Sequence, residues 1–194
     1  LRIMYMIFYA PLILSSSDLV YRSAVLNALV RGARHCQRVA DKQAPGLGRI
    51  SAWTGVVAAG LAINRNEAML KTGEQKLALA LQTGFSDDFG LISRSPLEQL
   101  ELIKLLLMVQ AIYQGMKKKP PLWLNEAVNR ASSALLTVQM GNLSLGAWQG
   151  NGPIAAEKIT PVVKALPKTA RPLLQTNHWG YQRLANGQAI IVVD

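Results

Sequence analysis

The chain has one cysteine and two histidines in 194 residues. An internal disulfide is therefore ruled out, and no zinc-type cluster is suggested. Acidic residues are scarce: Asp and Glu total 11 against 21 Lys and Arg, for a formal net charge of +10. That balance favours polyanionic partners, namely nucleic acid, anionic lipid or an acidic polysaccharide. Aromatics make up only 6%. No apolar run reaches the roughly 20 residues of a membrane span. The opening stretch Leu1 to Leu14 is interrupted by Arg2 and Pro11 and predicts a buried helix. Neither the dinucleotide-binding nor the P-loop glycine fingerprint occurs, and no strand pattern alternates with the helices, which excludes both folds.

What is present is a hydrophobic half of the composition, rich in Leu and Ala, with 16% charged residues. That suits a helical array with much buried surface, not a disordered tail. Ser15-Ser16-Ser17-Asp18 offers oxygen acceptors for free backbone N–H groups and predicts a helix from about Leu19 to Ala40. Val25, Leu26, Leu29, Ala33, Cys36 and Ala40 then share one face, making Cys36 a core thiol. Arg31, Arg34, His35, Arg38 and Lys42 fall within an arc of about 100° on the other face.

Pro45-Gly46-Leu47-Gly48 breaks the chain, and Ser51 is the expected cap of the next helix. A connector at Asn64-Arg65-Asn66 leads to a helix over Glu67 to Gln82. Ser95-Pro96-Leu97-Glu98 is a capping box with proline at the first helical position, and opens a helix reaching about Met116. Lys117-Lys118-Lys119-Pro120-Pro121 stops it. Further helices are expected from Pro121 to about Met140 and from Ala155 to Leu166, around a loop over Gly141 to Pro153. Trp179 to Ala185 and Gln188 to Val193, joined at Asn186-Gly187, read as a β-hairpin. The fold class expected is all-α: an antiparallel α/α array or incomplete α/α toroid over residues 1–170, with residues 171–194 starting a truncated β domain. A first residue other than Met and a terminal apolar strand suggest an internal fragment of a longer protein.

Three segments in order resemble the heparinase II/III-like family. Asp88-Phe89-Gly90-Leu91-Ile92-Ser93-Arg94-Ser95-Pro96 is similar to that family's Asp-Gly-Gly-His-x-x-Arg-Ser-Pro loop. Gly141 to Gly150 resembles its Gly-Asp-Gly…Phe-Asn-Gly loop, and Trp179-Gly180-Tyr181-Gln182-Arg183-Leu184 its Gly-Tyr-x-Arg-Leu strand. The resemblance implies an N-terminal α/α toroid followed by a β-sandwich, and location in the periplasm or cell envelope, with the cytoplasm an alternative. It implies a lyase that cleaves acidic polysaccharides by β-elimination at a uronate. That reaction needs a group to neutralise the carboxylate, a base for the C5 proton and an acid for the leaving oxygen.

Family members supply Asn or His for the first task and Tyr or His for the others. Here Gly46-Leu47-Gly48 stands where the family has Gly-Asn-His, Leu91 replaces the loop histidine, and Glu98 replaces the tyrosine after Ser-Pro. The alternative function is therefore a non-catalytic polysaccharide-binding or scaffold protein on the same fold.

The candidate substrate-binding residues are Arg31, Arg34, His35, Arg38, Arg94, Trp148 and Gln149. The first four are either a grip on sulfates and carboxylates or a solvated helix face. Arg94 either meets a substrate carboxylate or is tied to Asp87 or Asp88. Trp148 either stacks on sugar or plugs the helices. Tyr21 and Tyr113 are weaker acid–base candidates, and His178 a cap at the domain junction. No catalytic residue, metal or cofactor is assigned. The partners expected are an acidic polysaccharide and the chain's own downstream β-sandwich, with no transmembrane segment. The lysines at 117–119 compensate a helix end, and no zinc pattern or helix-turn-helix points to nucleic acid.

Overall fold

The computed structural model describes residues 1–63, 67–186 and 189–194. Among them, eight α-helices are followed by a two-stranded antiparallel hairpin. In order they are α1 (Arg2–Phe8), α2 (Ala10–Ile13), α3 (Leu19–Val39), α4 (Leu47–Ala62), α5 (Glu67–Gly84), α6 (Pro96–Gly115), α7 (Leu122–Thr137) and α8 (Ala156–Ala165), then β1 (Gln182–Asn186) and β2 (Ala189–Val193). The chain divides into two compact units. The first comprises Leu1–Leu81 and Met108–Pro120, the second Gln82–Leu107 and Pro121–Asp194.

In the first unit α4 is the central element, buried on every side from Ala52 to Leu61. Its glycines allow close approach: a Cβ on Gly60 would lie 2.8 Å from the Leu70 backbone, and one on Gly73 of α5 would lie 3.1 Å from Val57. The predicted start at Ser51 is corrected. Gly46, at φ 127°, precedes the first residue of α4, and Ser51 lies inside the helix. Glycine accepts that backbone conformation without a Cβ penalty, so Pro45-Gly46 sets the start.

The start of α3 is as read: Asp18 Oδ1 accepts from the N–H groups of Val20 (2.8 Å) and Tyr21 (3.1 Å). Its core face is narrower than expected. Leu29, Ala33 and Ala40 are buried, Leu26 is exposed and Cys36 is half-buried, with burial pushing its thiol pKa up.

The single buried helix expected over Leu1 to Leu14 is two short ones, of which only Ile3, Met4 and Ile7 are buried. Pro11 lacks an N–H and crowds the carbonyl four residues back, which ends α1. At the end of α6, Lys117 takes φ 55° and the Lys118 N–H reaches the Tyr113 carbonyl (2.9 Å), a left-handed cap without glycine.

In the second unit Leu100, Ile103, Ala131, Leu135, Val138, Ile159, Trp179 and Tyr181 belong to one buried cluster. Burial of each large side chain contributes about 1.5–3 kcal/mol. Helix α7 ends at Thr137, short of Met140. The buried Arg183 guanidinium donates to the carbonyls of Thr137 (3.0 Å) and Gln139, and Gln139 bridges Leu145.

The hairpin also starts later than read, because Trp179 and Tyr181 are core residues around Gly180, at φ 85°. The register pairs Leu184 with Ile191 and Asn186 with Ala189, which makes Asn186 a ladder residue. The expected turn glycine, Gly187, and the connector at positions 64–66 lie outside the described residues.

Candidate functional site

The basic face belongs to the first unit. Arg31, Arg34, His35 and Arg38 are all exposed on α3, opposite buried Leu29, Ala33 and Ala40. Among the described residues none of the four has an ion-pair partner, so the three guanidinium charges face solvent unneutralised. Beyond them Asp41 accepts from Trp53 Nε1 (3.1 Å) and pairs with Lys76 (2.6 Å). The Lys76 bond, with smaller help from Trp53 and Arg49, holds the Asp41 carboxyl below its ordinary pKa. Arg49 donates to the Gln43 carbonyl, closing the break before α4.

The other three candidates belong to the second unit, around the loop over Asp87 to Pro96. Asp88 Oδ2 accepts from the backbone N–H groups of His178 (2.6 Å) and Trp179 (3.0 Å). Trp179 Nε1 donates to the Leu91 carbonyl (2.8 Å), and Tyr181 OH to the Arg94 carbonyl (2.6 Å). Arg94 Nε donates to the Trp179 carbonyl (2.9 Å), its Nη2 pairs with Asp194, and its Cζ stands 5.4 Å from the Tyr181 ring centre. Gln149 Nε2 reaches the other Asp194 oxygen (3.1 Å).

Of the two readings of Arg94, the tie to Asp87 or Asp88 is not what forms: Arg94 pairs with Asp194, while Asp88 is occupied by two backbone donors. Trp148 is half-buried, with its ring 5.4 Å from that of Tyr181 and against the space beside Gly146. It packs against the buried cluster of the second unit, in line with one of its two readings, the plug.

Sequence reasoning missed Gln99. Its fully buried amide accepts from Leu91 N–H (2.8 Å) and donates to the carbonyls of Phe89 (3.1 Å) and Ala131 (3.0 Å). A polar residue on the apolar face of α6 was the available signal, since a buried amide must find partners. Ser95 Oγ accepts from Glu98 N–H (3.2 Å), half of the expected capping box, and from Asn151.

The proton-transfer candidates are unevenly placed. Leu91, in the middle of the loop, is fully buried. Tyr181 is pushed up to about 12 by burial and by the nearby Asp194 charge. Tyr113, in the first unit, donates to Glu74; burial and that carboxylate drive its pKa upward. Both stay protonated at neutral pH and are poor bases. His178 is exposed, with Nδ1 3.5 Å from Asp87 Oδ2.

A half-enclosed cavity of about 700 Å³ in the first unit is lined by apolar side chains, among them Met6, Phe8, Leu26, Leu29 and Ile112, and by none of the candidate residues. Among the described residues no group of three or more His, Cys, Asp or Glu could hold a metal ion. Among them, too, no helix is long and apolar enough to cross a membrane. No family model matches the chain, and neither a curated protein nor a solved structure matches it.

Proposed function

We propose that this chain is the helical part of a heparinase II/III-like protein, and that it binds acidic polysaccharide. One observation carries the reading. The residues that gave two of the three resemblances, Asp88-x-Gly90 with Arg94 and Trp179-Gly180-Tyr181, lie some 85 residues apart in sequence and bond to each other through side chain and backbone. Motifs that share one structural knot are better explained by common descent than by coincidence of composition. The knot also accounts for what the loop keeps: Asp88 and Arg94 are engaged in holding the next segment. Binding is assigned to the unpaired cations of α3, whose charges suit a chain of sulfates or carboxylates.

The finer fold belongs to the same proposal. The helices form an α/α array or incomplete toroid, and the hairpin begins a β-sandwich. The cross-strand pair Leu184 and Ile191, exposed by 62% and 57%, supports a covering β layer. Location in the periplasm or cell envelope follows from the same resemblance. β-Elimination in the full-length parent is the second reading, favoured by an imidazole, His178, beside the loop whose own histidine is replaced.

Binding of the 194-residue chain to heparin and to polygalacturonate, with duplex DNA as a polyanion control, tests the proposal. Tighter binding to a uronate polysaccharide than to DNA at equal salt is expected. No binding to either polysaccharide, or DNA binding at least as tight, overturns it. Growth of unsaturated-uronate absorbance with the full-length parent decides the second reading.

A further inference from the structure

The core side of α3 runs on past the core. Leu19, Arg22 and Leu26 follow at i, i+3 and i+7, which stacks them on the side of the helix that buries Leu29 and Ala33 further along. Yet Leu19 is 73% exposed and Leu26 46% exposed. This half of the apolar stripe is uncovered among the described residues.

Helix α1 extends the same surface. Phe8, 48% exposed, and Leu26 both line the cavity of about 700 Å³ in the first unit. Exposed and lining at once, these two side chains mark its opening. Among the described residues no polar or charged one lines the cavity, so water inside it finds no partner. The Tyr9 ring stands 5.8 Å from that of Phe8 and 6.4 Å from that of Tyr5. Arg2, Tyr5 and Tyr9 follow at i, i+3 and i+7, so this aromatic edge also carries a cation.

Charge says what covers the face. In the first forty residues five arginines stand against one acid, Asp18, and that carboxylate is engaged in capping α3. Arg2 and Arg22 are exposed and have no ion-pair partner among the described residues. A second copy of the chain would present the same cations and no free acid to meet them. A free fatty acid would fill the cavity but leave Tyr5, Tyr9 and Leu19 in water.

We infer that this face docks on the surface of an anionic lipid bilayer, with one acyl chain in the cavity. Tyrosine rings suit the headgroup level, where one end is apolar and the other wet. Arg2 and Arg22 meet lipid phosphates there, and Phe8 and Leu26 pass the chain from the bilayer into the cavity. Arg31, Arg34 and Arg38 lie on the opposite side of α3, so bilayer and polysaccharide use different faces.

The test is flotation of the whole chain with vesicles of phosphatidylcholine, with and without phosphatidylglycerol. Binding is expected only where phosphatidylglycerol is present. Phe8→Asn/Leu26→Asn, neutral changes that keep the net charge, are expected to weaken it about tenfold or more, and Leu19→Asn about threefold or more. Leu19 is largely exposed, so its variant keeps the fold whatever the double variant does. A nitrobenzoxadiazole label on Leu19→Cys, in a Cys36→Ser background, is expected to brighten and shift to the blue on these vesicles; the same label on Arg34→Cys is not. The inference is overturned if the wild-type chain does not float, or if Leu19→Asn and the double variant both float within twofold of it. A label that responds at Arg34→Cys and not at Leu19→Cys also overturns it, leaving the basic stripe as the contact. So does a chain that dimerises through this face, shown by sedimentation that Leu19→Asn returns to monomer, and ignores vesicles.

Discussion

Trp179 occupies the space that a side chain on Gly90 would need: a Cβ built there lies 1.9 Å from the indole Cδ2. The indole is buried and its Nε1 bonds the Leu91 carbonyl one residue beyond that glycine. The loop glycine thus makes room for a ring from 89 positions further along the chain (179 − 90).

Gly90→Ala is therefore expected to destabilise the protein by about 1–3 kcal/mol, as overpacking does, because the nearest atoms belong to a rigid indole in a filled core. Gly115→Ala, at the exposed end of α6 with nothing within 4 Å of its Cβ, is the control. It is expected to be neutral or to stabilise by up to about 1 kcal/mol. Urea unfolding of both variants checks the contrast, and equal midpoints remove the steric account.

Arg183 is the buried cation of the second unit, 8% exposed and bonded to the carbonyls of Thr137 and Gln139. Burial lowers its pKa, yet it serves as the polar stop of α7. Arg183→Met is expected to cost about 2–3 kcal/mol, because it leaves helix-end carbonyls unpaired in the core. Denaturant unfolding measures this, and a loss below about 0.5 kcal/mol counts against the capping role.

At alkaline pH Tyr181 sets a limit. Its folded pKa is raised to about 12 by burial and by Asp194, against about 10 in an unfolded chain. A raised value means that the neutral form is favoured in the fold. The stabilisation is fully present below pH 10 and is lost as pH rises through about 12. Tyr113 shifts in the same direction. A late component in the phenolate absorbance titration is expected, and Tyr181→Phe removes its share while flattening the alkaline fall in melting temperature. A titration curve identical in wild type and variant contradicts this.

Asp41 works at the other end. Its bond from Lys76 depresses its pKa, so its contribution is present above the unfolded value of about 3.9 and is lost as pH falls through the lower folded value. Asp41→Asn is expected to lower the melting temperature slightly at pH 7, by an amount that shrinks as the pH is taken down through the folded value. The pair is largely exposed, so the effect is small and shrinks in high salt.

The α3 cations are expected to dominate affinity for long polyanions. Replacing Arg31, Arg34 and Arg38 with alanine is expected to weaken heparin binding about tenfold or more at low salt and to flatten its salt dependence, since fewer counterions are released. Elution from a heparin column against a salt gradient measures both. Unchanged elution returns the stripe to an ordinary solvated helix face.

Local signals were legible in the sequence because their physics is local. Asp18 caps α3 within three residues, and Pro96 with Ser95 starts α6. Apolar spacing located the long helices to within a few residues. Legibility failed where a distant group decides. The end of α7 is set by Arg183, and the strand β1 starts late because Trp179 and Tyr181 are drawn into a core made by α6 and α7.

The candidate site divides the same way. The exposed stripe on α3 follows from helical periodicity alone. That Arg94 would find Asp194 could not be read from spacing, because 100 positions separate the partners (194 − 94). Gln99 was hidden for a related reason: its three partners lie on the loop and on α7, off its own helix.

By itself the sequence determined the helical class, the Asp18 cap of α3, the basic stripe and the order of the motif segments, since each depends on contacts within one or two turns of chain. Only the tertiary structure decided what those motifs do. It turned Asp88, Gly90 and Arg94 into the socket for Trp179 and Tyr181, and brought His178 to Asp87. Hydrogen bonds and ring packing between segments some 85 to 100 residues apart become favourable only when a shared core has already offset the entropy of closing the chain between them.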